Sequence, residues 1–466
     1  MSIVAPPSAP SLYPAPSETA LKLHYLGKNV RDVQAPAAIL DVAVIRRNCK
    51  LMLETAKTLG LGFRAHVKTH KTTQLTRLQM GEETKAVKVV ASTVSEVEHL
   101  VPYLLECQSK GRSVNVLYGL PVAPSHIPRL AAVARVLGEG TISLFVDQPT
   151  HIEYLSKLDD AAWPGAVWVF VKIDAGYHRA GLSPESRTLD ALAKAIAAQS
   201  KVRLAGAYAH MGHSYSSSSP SEALQFLQKE IGEVSTGARR LIQASPSVSG
   251  KFTISIGATP TATALQNLLH GGTETYDVET YRAFIDQTKQ EFDLEIHAGV
   301  YPVLDMQQLA TRARPQGTAE TPLLSTKNLA LRIMVEVASV YNEREKPEAL
   351  VGAGSIVLGR EPCKSYPGWG VVTSWSSEGR ASKAPVYDPE ASKTGWIVGR
   401  ISQEHGMLTW EGPQEDRREL EIGEKLLVWP NHACMAGPSF GWYLVVDSDT
   451  KDPETVVDVW VRWRGW

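Results

Sequence analysis

Short β-branched runs alternate with longer helical stretches along most of this 466-residue chain. Eight of these runs are predicted as strands, near residues 61–67, 86–91, 113–118, 141–146, 167–173, 202–210, 251–256 and 292–297. Between them lie amphipathic stretches with helical periodicity, such as 94–105, 126–137, 190–199 and 221–244. Because each stretch is long enough to connect two parallel strands, the pattern indicates repeated βα units. Eight such units predict an α/β fold with a closed, TIM-type (β/α)₈ barrel.

The helical periodicity ends near residue 326, and extended runs separated by Gly and Pro follow. We predict strands at 329–341, 354–358, 370–375, 396–401, 425–429, 442–446 and 456–463. This change predicts a second, all-β domain. The expected organisation is a flexible Pro-rich tail (1–20), the barrel (21–325) and the β domain (326–466).

Length, charge and cysteine content exclude several classes of protein. A chain of 466 residues is too long for one small core. Its 48 Lys and Arg residues against 49 Asp and Glu residues predict no general attraction to nucleic acid or to an anionic membrane. No apolar run is long enough to span a bilayer, and the first eighteen residues lack the features of a signal peptide. The scattered cysteines indicate no disulfide framework and favour the reducing cytoplasm; they are Cys49, Cys107, Cys363 and Cys434.

The sequence RAHVKTHK at 64–71 places Lys68 between two histidines, just after the first predicted barrel strand. Taken alone, it could be a solvated basic turn. A barrel, however, places its catalytic groups at the C-terminal ends of the strands. Such groups recur at nearly every predicted strand end: His66, Lys68, Ser92, Thr93, Asp147, Lys172, Asp174, Arg179, Tyr208, His210, His213, Gly257, Thr259, His297, Gly299 and Tyr301. Their concentration predicts an active site on this rim.

The segment SIGATPT at 255–261 predicts an anion site after the seventh strand. Gly257 permits a close backbone approach, Thr259 is expected to cap the next helix, and Pro260 suits its first position. Phosphate sites in barrels commonly form from the last two βα loops, and Gly299 and Tyr301 follow the eighth strand. A plain capped helix is the alternative. A lysine facing such a pocket matches pyridoxal phosphate, which needs a Schiff-base amine and a phosphate cradle.

In the predicted β domain, His432 and Cys434 are separated by one residue in the sequence WPNHAC. In an extended segment this spacing directs both side chains to the same side. An imidazole with a thiol favours zinc over harder ions. Two protein ligands fall short of the three usual for catalytic zinc, so a pair without a metal is the alternative.

Six motifs in this order resemble those of the eukaryotic-type D-serine dehydratases. This group includes D-threonine aldolase and D-threo-3-hydroxyaspartate dehydratase and shares its fold with alanine racemase. The resemblance runs from about Ile39 to the C-terminus. The motifs are RAHVKTHKT, VKIDAGYHRAG, YAHMGHSY, SIGATPT, HAGVYPVLD and PNHAC.

The resemblance implies roles for named residues. Those implied to bind pyridoxal phosphate are Lys68, Arg179, Tyr208, Tyr215, Gly257, Thr259, Gly299 and Tyr301. Among them Lys68 would form the Schiff base, Gly257 and Thr259 would hold the phosphate, and Arg179 would approach the phenolic oxygen. His432 and Cys434 match the zinc pair. The chain departs from the pattern at 352–354, where it has Gly-Ala-Gly instead of Asp-Ala-Gly.

The implied activity is loss of water from D-serine, giving pyruvate and ammonia, with Lys68 as the base and zinc on the leaving hydroxyl. The implied partners are a small β-hydroxy D-amino acid and a second copy in a homodimer. D-threonine aldolase is an alternative, although its metal pair usually reads His-x-Asp. 3-Hydroxy-D-aspartate dehydratase is another, and a non-catalytic pyridoxal phosphate carrier is a weaker one. The roles of several histidines stay open: His66, His70, His210, His213 and His405.

Overall fold

The computed structural model describes residues 8–244, 251–269, 277–314, 324–375 and 385–466. The strands of the first part of the chain are β1 Ala37–Asp41, β2 Gly62–His66, β3 Ala86–Ala91, β4 Ser113–Pro121, β5 Ile142–Val146, β6 Val167–Lys172, β7 Val202–Tyr208, β8 Phe252–Ile256 and β9 Phe292–Ala298. Those of the second part are β10 Leu331–Tyr341, β11 Glu348–Val351, β12 Gly370–Thr373, β13 Gly395–Ile401, β14 Gly406–Glu411, β15 Lys425–Pro430, β16 Trp442–Val446 and β17 Asp458–Val461.

The α-helices are α1 Ala9–Leu12, α2 Glu18–Tyr25, α3 Val42–Thr58, α4 Thr73–Met80, α5 Val94–Ser109, α6 Ile127–Leu137, α7 Pro149–Leu155, α8 Arg187–Ala197, α9 Pro220–Ala244, α10 Thr259–Ala264, α11 Val278–Glu291, α12 Met306–Ala310, α13 Ser355–Leu358 and α14 Ala433–Ala436. Short 3₁₀ helices lie at Val30–Asp32, Pro124–His126, Gly212–Ser216, Leu265–Leu268, Thr326–Asn328 and Gln414–Asp416. Side-chain caps begin several helices directly after a strand or loop, for example Asp41 before α3 and Thr93 before α5. No helix among the described residues is long and apolar enough to cross a membrane.

Strands β2 to β9 form a closed parallel barrel, which confirms the predicted (β/α)₈ fold. The ring closes between β2 and β9, where Phe63 lies opposite Ile296. Inside it, the buried Arg64 guanidinium pairs with the Glu295 carboxylate at 2.6 Å, and Lys88 pairs with the same carboxylate at 2.9 Å. A separate apolar cluster comprises Val90, Leu117, Phe145, Phe170 and Tyr208. The barrel is therefore a packed core with its loops free to build a site at one end.

The remaining strands form one nine-stranded sheet in the order β11-β14-β13-β12-β15-β10-β1-β16-β17. This confirms a C-terminal β domain. Strand β1 lies inside that sheet, antiparallel to β10 and parallel to β16, although it precedes the barrel in sequence. The predicted strand at 354–358 is wrong: this short apolar run forms α13, with the Ser355 amide donating to the Ser402 carbonyl at 2.7 Å. Strands β1, β11 and β14 were not predicted.

The predicted tail contains α1 and the beginning of α2 within residues 8–20. Ala9 is buried, and its amide donates to the Glu98 carboxylate of α5 at 2.6 Å. Residues 1–7 lie outside the described part of the chain. The domain boundaries at 20 and 325 stay predictions.

Candidate active site

Lys68 lies just beyond the end of β2, at the C-terminal mouth of the barrel, and is half-buried. Three imidazoles lie near it, those of the buried His297 and of the half-buried His66 and His210. Burial lowers the pKa of each imidazole well below its usual value, and the positive charge of Lys68 lowers it further. The three rings are therefore neutral near pH 7, so no positively charged imidazole lies beside the lysine.

His297 stacks on the ring of Tyr208, with centroids 4.0 Å apart and planes inclined by 9°. Its Nδ1 lies 3.1 Å from the Ser255 hydroxyl. Its Nε2 is buried and makes no hydrogen bond with any residue that the structure describes. A buried ring nitrogen without a partner at the mouth of a barrel can serve a bound molecule.

Lys172, at the end of β6, is almost fully buried, and its ammonium lies 4.7 Å from the Tyr208 ring centroid. Burial lowers the pKa of Lys172 to about 8, and the charge of Arg179 acts in the same direction. Arg179 itself is exposed, with its guanidinium 5.2 Å from the Tyr177 ring. The structure thus brings Lys172 and Tyr208 together, whereas contact between Arg179 and a cofactor stays a prediction.

Gly257 lies where the backbone of the loop after β8 approaches β9. Its φ is +146°, and a Cβ built there would be 2.2 Å from the His297 carbonyl oxygen, so no other residue fits without movement. Its amide donates to Glu230 Oε1 at 3.0 Å, and its carbonyl lies 2.9 Å from Nδ1 of His210. Gly257 therefore allows the loop after β8 to pass close to the His297 backbone, and its own amide is already bonded to the Glu230 side chain.

Helix α10 begins at Thr259, with Ala258 at the N-cap. The predicted cap by Thr259 is wrong: Thr261 Oγ1 accepts the Ala258 amide at 2.9 Å, and Pro260 occupies the second position of the helix. Thr259 Oγ1 instead accepts the amide of Val300 at 3.1 Å. This bond ties the loop after β8 to the loop after β9.

Tyr215 lies in the 3₁₀ helix after β7 and is half-buried. Burial raises the pKa of its phenol, and the nearby Cys434 and Asp305 raise it further, while the neighbouring Gln308 and Thr259 act in the opposite direction. The predicted residue Tyr215 therefore lies between the phosphate-loop candidate and the metal-pair candidate.

Tyr301 is buried, with its ring 5.8 Å from that of Phe63 in an edge-to-face contact. Burial raises the pKa of its phenol, as does the adjacent Cys49 of α3. The structure thus brings Tyr301 to the contact between barrel and α3. Gly299 lies beside the lysine strand, since a Cβ there would be 3.1 Å from Cβ of His66.

His432 and Cys434 lie at the start of α14, just after β15. Burial lowers the pKa of the His432 imidazole, but Cys434 outweighs this and raises it to about 9. Burial raises the pKa of the Cys434 thiol, yet His432 and Lys68 bring it below its usual value. Thr69, next to Lys68, places its hydroxyl 3.1 Å from Cys434 Sγ. The pair predicted from sequence therefore faces the lysine loop.

The donor set of this pair fits zinc, because an imidazole and a thiol of lowered pKa are ligands that zinc prefers. Nδ1 of His432 is buried without a hydrogen-bond partner among the described residues. Behind the pair, Asp305 Oδ2 accepts the Ala433 amide at 2.9 Å. Within the described ranges, no group of three or more His, Cys, Asp or Glu side chains is arranged to hold a metal.

The groups at the barrel mouth also fit pyridoxal phosphate. They include an amine on Lys68, a free buried nitrogen on His297 and a close backbone approach at Gly257. Sequence reasoning missed three residues of this region, namely Thr69, Glu230 and Asp305. For Glu230 a signal exists, since it interrupts the apolar face that Leu227 and Val234 form on α9.

Two family descriptions match the chain. "Alanine racemase, N-terminal domain" matches residues 40–270, and "Putative serine dehydratase domain" matches residues 330–446. The first range covers most of the barrel, and the second covers most of the C-terminal sheet.

Known proteins resemble the chain over nearly its whole length. The D-serine dehydratase of Schizosaccharomyces pombe is 35% identical, over 96% of this chain and 95% of the relative. The D-serine dehydratase of Saccharomyces cerevisiae is 32% identical, over 95% and 98%. The solved D-threo-3-hydroxyaspartate dehydratase from Delftia sp. HT23 shares the fold, with a TM-score of 0.70 and 22% identity over 94% of this chain and all of that one. A cysteine-to-alanine mutant of a D-threo-3-hydroxyaspartate dehydratase has been solved in a metal-free form. The chain therefore belongs to the D-serine dehydratase family of lyases, which is built on the alanine racemase-like fold.

Proposed function

We propose that this protein eliminates water from D-serine with the help of pyridoxal phosphate and zinc, and that the released enamine takes up water again as it hydrolyses to pyruvate and ammonia. One observation carries the proposal: Thr69 Oγ1 lies 3.1 Å from Cys434 Sγ, so the Lys68 loop and the His432–Cys434 pair adjoin each other. The two dehydratases of 35% and 32% identity support D-serine as the substrate.

Each cofactor, when bound, would supply one part of the chemistry: pyridoxal phosphate would stabilise negative charge at Cα of the substrate, and zinc would polarise the leaving β-hydroxyl. Lys68 would anchor the cofactor and would take up the Cα proton of the substrate. The neutral His66, His210 and His297 around Lys68 suit this role, because a protonated imidazole there would oppose proton uptake.

Other residues would bind and orient the cofactors. Thr259 would contact the phosphate, with Gly257 and Gly299 allowing its close approach. Tyr208, backed by its stacking on His297, would pack against the pyridine ring. Arg179 and Tyr301 are weaker candidates, because Arg179 is exposed and Tyr301 packs against Phe63.

His432 and Cys434 would hold the zinc, with water and the substrate hydroxyl as further ligands. Asp305 would keep the pair in place through its bond to the Ala433 amide. The metal-free form of the cysteine mutant of D-threo-3-hydroxyaspartate dehydratase supports a metal in this group of enzymes. Both ligands belong to the β domain, and Cys434 contacts Thr69 of the barrel, so the metal would lie where the two domains meet.

The decisive experiment offers the purified protein D-serine, D-threonine and D-threo-3-hydroxyaspartate separately and identifies the products. We expect pyruvate and ammonia from D-serine, at a higher kcat/KM than for either other substrate. Glycine with an aldehyde would instead identify an aldolase, and preferred turnover of the hydroxyaspartate would identify the related dehydratase. Treatment with a chelator should abolish the reaction, and zinc should restore it.

The proposal extends to assembly and location. Relatives with this two-domain plan are expected to form homodimers, and light scattering of the purified protein tests this. All four cysteines are free, which supports a reducing compartment such as the cytoplasm. Imaging of the tagged full-length protein tests the location.

A further inference from the structure

Glu230 is a fully buried carboxyl group in the middle of α9, and it contacts loops beyond two barrel strands. Its Oε1 accepts the amide of Met211 at 2.9 Å and the amide of Gly257 at 3.0 Å. Its Oε2 lies 3.4 Å from Oγ1 of Thr261. One side chain therefore joins the loop after β7, the loop after β8 and the first turn of α10.

Packing alone does not explain a carboxyl group at this position. Leu227, Ile231 and Val234 surround it on the buried face of α9, and an apolar side chain would suit that face better. Burial raises the pKa of Glu230 to about 7, although its hydrogen bonds and the charge of Lys172 oppose the shift. What the carboxyl group adds is the set of bonds to the two loops.

These bonds also orient the groups that would meet the cofactor. The amides of Gly257 and Ala258 are directed at Glu230 and Thr261, so they are not free for an anion. The next residue, Thr259, then begins α10, with its hydroxyl bonded to the Val300 amide. On the other loop, Met211 directly follows His210, whose ring lies 2.9 Å from the Gly257 carbonyl.

We propose that Glu230 is a positioning residue, which holds the loops after β7 and β8 in the geometry that receives the phosphate of pyridoxal phosphate. The inference rests on the proposed function. Glu230 touches neither substrate nor cofactor, and acts through Gly257 and Met211. Its essential feature is an acceptor at Oε1, which glutamine retains and leucine lacks.

The test measures how fast the full-length holoenzyme loses its cofactor during dialysis, together with the ³¹P resonance of the bound phosphate. The variants are Glu230→Gln and Glu230→Leu. Glu98→Leu is the matched control, because Glu98 is also a buried carboxyl group that accepts an amide, that of Ala9, but it lies on α5 and pairs with Arg129. Thr261→Val is a milder second variant, should Glu230→Leu fail to fold.

We expect cofactor release at least tenfold faster in Glu230→Leu, with a shifted or broadened ³¹P signal, and release within threefold of the parent in Glu230→Gln. Thr261→Val should release it faster than the parent, and Glu98→Leu should lower Tm without changing release. Parental release from Glu230→Leu or, if that variant does not fold, from Thr261→Val would overturn the inference. So would equal acceleration in Glu98→Leu. A parent protein that binds no pyridoxal phosphate at all would instead refute the proposed function.

Discussion

The hydroxyl of Thr69 lies 3.1 Å from the thiol of Cys434, joining two residues that are 365 positions apart in the chain. Thr69 is buried and directly follows Lys68, whereas Cys434 belongs to the β domain. A hydroxyl that donates to a thiolate stabilises its charge and fixes its direction. This contact therefore positions the proposed cofactor lysine and the proposed metal ligand relative to each other.

Replacing Thr69 with valine should weaken zinc binding by about tenfold, because outer-shell hydrogen bonds to metal ligands typically contribute that much. Zinc retained against a competing chelator measures the effect. Thr69→Ser is the matched control and should bind zinc like the parent. Equal retention in the valine variant would mean that the hydroxyl does not support the metal pair.

Replacing Lys68 with alanine should remove the absorbance of the lysine-bound cofactor near the visible edge. It should also lower kcat by at least about 10³-fold, because one side chain both anchors the cofactor and moves the proton. Lys71→Ala is the control, since the Lys71 ammonium is engaged by Glu96 at 3.1 Å. If Lys68→Ala kept the absorbance, the lysine assignment would be wrong.

Replacing Gly257 with alanine should destabilise the protein by about 1–3 kcal/mol and release the cofactor. The reason is steric, because the new Cβ would lie 2.2 Å from the His297 carbonyl oxygen at a φ of +146°. Gly232→Ala is the control: Gly232 lies inside α9 with nothing within 4 Å of a new Cβ, so stability should rise by about 0.5–1 kcal/mol. Urea denaturation of both variants measures their free energies of unfolding, and a Gly257→Ala protein as stable as the parent would contradict the prediction.

The stability of the protein should carry a pH dependence from Glu230. Its pKa is about 7 in the folded chain against 4.5 for an ordinary glutamate. The folded state therefore binds the extra proton between these values, and the free energy of unfolding falls as the pH rises through this window. Relative to Glu230→Gln, the parent should lose up to about 3 kcal/mol between pH 4.5 and 7, measured by urea denaturation at several pH values. A constant difference between the two proteins across this range would contradict the expectation.

The barrel could be predicted because its segments have both the periodicity and the length expected of alternating strands and helices. All eight predicted parallel strands are present, and Lys68 lies beyond β2 as the order of motifs requires. The prediction of a strand at 354–358 failed because a serine and three apolar residues between two glycines suit a helical turn as well as a strand. Tertiary contacts decide between them, such as the bonds from the Ser355 and Ile356 amides to the Ser402 and Gln403 carbonyls.

Side-chain direction at the site could not be predicted from spacing. Tyr301 follows the eighth barrel strand in sequence, yet it turns toward Cys49 on α3 instead of the barrel mouth. Glu230 lies in mid-helix, where a glutamate is usually solvated, and its partners Met211 and Gly257 are supplied by loops distant in sequence. Burial and tertiary contacts, which no local pattern encodes, determine both positions.

Strand β1 affects how the protein can be synthesised and divided. It precedes the whole barrel in sequence, but its two neighbours, β10 and β16, begin only at Leu331 and Trp442. The sheet therefore cannot close until β16 has been synthesised, and such distant pairings form slowly. A fragment that begins at residue 326 would lack the strand between β10 and β16, leaving β16 and β17 as a detached hairpin. The β domain is thus built from segments on both sides of the barrel, and it cannot be expressed as a separate module by cutting the chain once.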